Sequence, residues 1–324
     1  MTEAERFRGG LAVFILQIGM LFQFADAPAG PTRFDLLGTF NLAAPRAPGT
    51  RHYLQETRLL HIGLDGKPTG TETIRMKLEW MHTSSSGGGG DVFRCGKFTM
   101  RKNQDAEVSL PALEGWRYEL RQTSSGLDDK GQVFGIDHAK FLDLKDSGGN
   151  GLQPVTAYQV YNSFIDFHSF TGVFAMPAEG GGIQDLKKIG DRIVHAAAFT
   201  EPPVNLGNLI LPGSTFKNGE VTLEFKGLTG IQGVPCALIG FDSGESSFRM
   251  LMRPMPDMEI QAVGRSHYAG DLALELETRW VGQVIMSETV ITQVNLPAPQ
   301  SQIHELIERN TKISTITADE FERD

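Results

Sequence analysis

Three residues, Asp166, His168 and His195, are the candidates for acid–base chemistry in this chain of 324 residues. An imidazole becomes a general base when a carboxylate orients it within hydrogen-bond reach. In Asp166-Phe167-His168 the spacing is i, i+2. On a helix those positions point about 200° apart, so the two cannot act as one dyad. The expected fate of His168 is a buried, hydrogen-bonded ring near Phe164. His195 precedes Glu201 by six residues, which on a strand shares its face but lies roughly 20 Å away. Pro202 and Pro203 end that strand at once. A hydrolase-like enzyme would therefore have to assemble these residues into a composite site from distant segments.

Other chemical patterns fall short of what their chemistry needs. Gly90 to Lys97 is spaced one residue too long for a phosphate loop, has Phe98 where a magnesium-binding hydroxyl belongs, and leads into a strand. Asp146-Ser147-Gly148-Gly149 and Gly240-Phe241-Asp242-Ser243-Gly244 echo a serine nucleophile turn but have no matching histidine, and read as turns. Asp146 to Gly151 has no bidentate Glu downstream for a calcium loop. The eight histidines show neither HxH nor HxxxH spacing, so no local metal site and no cofactor is expected. Cys95 and Cys236 are too few for a disulfide scaffold; they read either as one long-range bridge in an exported protein or as two buried thiols.

Residues 156–175 break the pattern of the rest of the chain. They contain no proline and one glycine, and Val160, Phe164, Phe167 and Thr171 recur at helical spacing. One aromatic helix is expected, packed on a sheet. Tyr161, Phe164, Phe167 and Phe170 either fill the core or line an apolar ligand cavity between helix and sheet.

The surrounding elements are read as strands. Val221, Leu223 and Phe225 alternate with Thr222 and Glu224, and the same period of two marks Leu272 to Leu276, Val284 to Val294, and Ile74 to Trp80. The fold class is mainly β: curved antiparallel sheets or a β-meander in two halves with one helix. Strands are expected at His52–Leu64, Thr71–His82 and Asp91–Lys102, with further ones at Gln132–Ile136, Lys140–Leu144 and Arg192–Thr200. Lys217-Asn218-Gly219 and Tyr268-Ala269-Gly270-Asp271 are expected to turn the chain, and Pro254 and Pro256 to mark an edge or crossing. The organisation expected is a β-rich half over 30–177, a connecting loop over 178–190, a second antiparallel half over 191–298, and a tail over 299–324 that continues as one short helix or strand from Ile303 to Ile316 before an acidic end that frays.

Composition bounds the function. The net charge is −9 and the basic residues form no stripe, which argues against nucleic acid and against a polybasic membrane anchor. Leu11 to Phe22 is an apolar run preceded by Arg6 and Arg8 and followed by small-x-small sites ending at Ala29. It is too short to span a bilayer and fits the apolar core of a signal peptide over 1–29. An exported protein, periplasmic or secreted, with no transmembrane span is expected.

Residues Gly219 to Asp242, GEVTLEFKGLTGIQGVPCALIGFD, resemble a strand–turn–strand found in exported bacterial proteins related to periplasmic lipoprotein carriers. That resemblance implies a curved antiparallel sheet around a helix and an apolar cavity. The function expected is a non-enzymatic binder of an apolar small molecule or an envelope protein. The alternatives are the composite-site enzyme and a structural envelope protein acting through its strand edges.

Overall fold

The computed structural model describes residues 36–83, 90–120, 132–178, 180–200, 210–255, 258–297 and 302–323. The chain forms two compact units, Met1–Gly38 and Thr39–Asp324, and the account below is of the second. The signal-peptide segment and Glu201 lie outside the described residues.

Among the described residues one antiparallel sheet holds all 14 strands. β1 (Gly49–Ile62) and β2 (Pro68–His82) form the first hairpin, and β3 (Asp91–Lys102) follows, close to the expected bounds. The short β4 (Val108–Ser109) and β5 (Arg117–Glu119) pair with β3. After the helix α1 (Pro154–Thr171) come β6 (Arg192–His195), β7 (Ala198–Thr200), β8 (Thr215–Asn218), β9 (Val221–Ile231) and β10 (Val234–Asp242). The long strands β11 (Ser246–Met255), β12 (Met258–Glu275), β13 (Val281–Asn295) and β14 (Gln302–Ile316) complete the sheet, and a short helix, α2 (Ala318–Glu322), ends it.

Within the expected tail, the segment read as one short helix or strand is a 15-residue strand, and it is interior to the sheet. β14 lies between β1 and β13, with His52 opposite Ile316 and Val284 opposite Ile313, so it joins the two sequence halves into one sheet. Thr57, Thr311, Ile313 and Met286 are buried on one face, and that shared dry face is the reason the halves do not close separately. The acidic end is a capped helix, with Thr317 and Glu320 exchanging capping hydrogen bonds. Its Phe321 is buried beside Gly96, where a Cβ would come within 2.5 Å of the ring.

Two further expectations are corrected. Tyr268 to Asp271 does not turn; it sits within the 18 residues of β12. Gly270 is there because the Ile285 carbonyl oxygen of β13 and the Phe241 ring occupy the space of a side chain, 2.1 and 2.7 Å from an added Cβ. Gln132–Ile136 and Lys140–Leu144 are not strands. Phe134 and Gly135 take φ of 55° and 74°, which breaks an extended run, and Asp137 caps a 3-10 helix over His138–Phe141. Ile136, Phe141 and Leu144 are buried all the same.

β12 is where the sheet forks. Its first half pairs with β11, its second half with β10, and β13 runs along its other side. α1 lies against the inner face. Pro154 opens it at a position where a missing N–H costs nothing. Phe164 stacks with Phe98 of β3, Phe167 meets Tyr53 of β1 at 5.2 Å, and Phe170 stacks with Phe241 of β10 at 5.2 Å. One helix thus touches strands from both arms of the sheet, which is possible only where the sheet curves around it.

Candidate functional site

Gln159, Asn162, Ser163 and Asp166 follow one another at i, i+3, i+4 and i+7, a polar stripe along α1. The stripe faces the sheet rather than solvent. Together with Thr57 and Leu59 of β1, Ile74 of β2, Glu288 and Val290 of β13, and Ile307 and Arg309 of β14, it lines a cavity of about 310 Å³. Leu59, Ile74, Val290 and Ile307 make its walls apolar.

The floor is charged. Arg309 Nε donates to Glu288 Oε2 at 2.6 Å, and its Nη1 donates to Asp166 Oδ2. The three side chains are only 20%, 11% and 16% exposed. Burial pushes the Asp166 carboxyl above its ordinary value in spite of Arg309. Burial works against the Arg309 charge as well, but the two carboxylates outweigh it and hold the guanidinium above its usual range. Register places Glu288 opposite Arg309, and Arg309 opposite Leu59.

One row further along the same face is a second ion cluster. His61 Nδ1 meets Glu305 Oε1 at 2.5 Å and His61 Nε2 lies 3.6 Å from Glu72 Oε1. The hydrogen bond to Glu305, with the Glu72 carboxylate close to the other ring nitrogen, pushes His61 up to about 9, and the nearby His61 draws Glu72 below the usual carboxylate range. Lys102, 70% exposed, approaches Glu72 to 3.8 Å from outside.

The residues expected to carry acid–base chemistry are not brought together. Asp166 belongs to the cavity floor. His168 lies on another side of α1, where Nε2 and the Tyr118 hydroxyl share a hydrogen bond of 2.7 Å and the Phe93 ring packs edge-on at 4.6 Å. Burial pushes that imidazole down to about 3, so it is neutral and enclosed. His195 is on β6, at the end of the strand order. Among the described residues no group of three His, Cys, Asp or Glu side chains is arranged for a metal ion.

Tyr161, Phe164, Phe167 and Phe170 are buried to 3% exposure or less in contacts between aromatic rings, and the cavity beside α1 is lined by the helix's polar stripe instead. Cys95 and Cys236 are both buried free thiols, not a disulfide. Burial pushes both up, Cys236 to about 11. The polar stripe was readable in the sequence: four polar residues at helical spacing lie among aromatic ones, but such a stripe ordinarily faces water.

No known family matches the chain, and no curated protein does. Among solved structures it has a likeness to a DUF1329 family protein from Desulfovibrio piger, 7% identical over 85% of this chain and 90% of that one, with a TM-score of 0.16. A mutant porin from Rh. blastica is 8% identical over 83% and 99%, with a TM-score of 0.18. At such scores neither likeness bears on fold or function. Among the described residues no helix is long and apolar enough to cross a membrane.

Proposed function

We propose that this is an exported, non-enzymatic binding protein for a small amphipathic molecule. The observation that carries the reading is the half-open cavity between α1 and the sheet, with apolar walls and a charged floor. A purely apolar ligand would leave Asp166, Arg309 and Glu288 facing hydrocarbon, whereas a polar ligand would waste Leu59, Ile74, Val290 and Ile307. At about 30 Å³ per water-sized group the space holds about ten non-hydrogen atoms, a single medium-length chain with its head group. The export read from residues 1–29 belongs to the same proposal.

The test is a titration of isotopically labelled protein with decanol, decanoate and decylammonium below their micellar concentrations. Resonances of the Gln159 and Asn162 side-chain amides are followed. Saturable movement with any one probe supports the reading, and no movement with all three overturns it.

A further inference from the structure

We infer that the hairpin of β11 and β12 holds a soft monovalent metal ion, copper(I), through methionine thioethers. The site lies away from the cavity beside α1 and does not depend on it.

The sequence concentrates the donors. Four of the chain's 11 methionines, Met250, Met252, Met255 and Met258, fall in the stretch MLMRPMPDM over 250–258. Strand register then puts three of them on one face. Met250 lies opposite Ala262 and Met252 opposite Ile260, and Met258 precedes Ile260 by two residues on β12, so it shares their face. Met252 and Met258 are therefore diagonal neighbours across the hairpin, which stand about 7–8 Å apart. Unbranched side chains with three rotatable bonds can bring two sulfurs from such positions onto one ion. Met250 follows Met252 along β11, and the backbone of Met255 pairs with that of Met258.

Packing alone does not ask for methionine here. The same face continues into Ile260, Val294 and Ile303, β-branched residues of the kind a strand prefers. Met250, Met252 and Met258 are only half-buried, unlike Met76, Met100 and Met286 in the core. Ordering a long methionine side chain costs more conformational entropy than ordering isoleucine. Choices that run against local preference in this way concentrate at functional sites.

The surroundings select the ion. Arg249 and Arg253 alternate with Met250 and Met252 and so stand on the opposite face, where Arg253 pairs with Glu259. The methionine face presents thioether sulfur and hydrocarbon. Neutral, polarisable sulfur suits copper(I), whereas zinc takes thiolate, imidazole or carboxylate, and calcium and magnesium take oxygen.

Silver(I), a redox-inert ion of the same class, is the probe, titrated as the nitrate into the full-length protein labelled with carbon-13 in its methionine methyl groups. The Met252 and Met258 signals are expected to move saturably with silver and to stay still with zinc at the same concentrations. The buried thiols of Cys95 and Cys236 do not contribute to this readout, which is specific to each methyl group. Met252→Leu is expected to weaken silver binding read at Met258 by at least about tenfold, and Met258→Leu to do the same at Met252, because each loses half of a shared pair. Leucine conserves the apolar volume, so both variants keep the fold. No movement of either signal with silver overturns the site. Equal movement with zinc, or an affinity at one methionine that is indifferent to loss of the other, overturns the thioether pair.

Discussion

Removing the positive charge from the cavity floor tests whether these ions are there for stability or for binding. In Arg309→Met the Asp166 and Glu288 carboxylates face each other across the space a guanidinium filled. At a separation on the order of 5 Å and an effective dielectric constant of about 20, their repulsion is about 3 kcal/mol. That agrees with the cost of about 3–5 kcal/mol for removing one partner of a buried ion pair. With side chains no more than 20% exposed, solvent offsets little of it. The repelling pair has a folded-state pKa above the unfolded carboxylate value of about 4. The added penalty is therefore absent below about pH 4 and grows as pH rises through the folded-state value. The triple variant Asp166→Leu, Arg309→Met, Glu288→Leu removes all three charges and is expected to equal or exceed the parent in stability. Urea unfolding at pH 4, 5.5 and 7 measures both variants. A loss under about 1 kcal/mol for Arg309→Met at pH 7, with no change between the three pH values, would refute the buried floor. A triple variant as damaged as the single would refute the argument that the charges serve binding.

Three further outcomes follow from the packing. Gly96→Ala is expected to expel the Phe321 ring and cost about 1.5–3 kcal/mol, and Phe321→Ala a similar amount; the double variant should cost little more than either single one in urea unfolding, because the clash needs the ring. His168, at about 3 when folded and about 6.5 when unfolded, contributes stability that is present above the unfolded value and lost as pH falls. By pH 5 the loss is about 2 kcal/mol, and His168→Gln should remove that part of the acid dependence between pH 7 and pH 5. Cys236, raised by burial from 9.0 to about 11, should react with a thiol reagent at pH 8 about a hundredfold more slowly in the native protein than in urea, where both cysteines should be counted as free.

Period-two alternation in residues such as Ile74, Met76, Leu78 and Trp80 determined which chain segments are strands and which face of each is dry, because a strand's side chains alternate whatever it pairs with. Helical spacing of Val160, Phe164 and Phe167 determined α1 in the same local way. Partners were beyond that kind of reading. That β14 lies between β1 and β13, joining the halves, is a pairing of residues more than 200 positions apart, and nothing in Gln302–Ile316 itself encodes it. Gly270 read as a turn residue because the groups that require its small size, the Ile285 carbonyl and the Phe241 ring, come from β13 and β10. The cavity shows the same division. Gln159, Asn162, Ser163 and Asp166 made a stripe in the sequence, but only the curvature of the sheet turned that stripe inward. Arg309 and Glu288 reach Asp166 from strands 143 and 122 residues away, and an ion pair of that separation exists only once the sheet has closed around the helix.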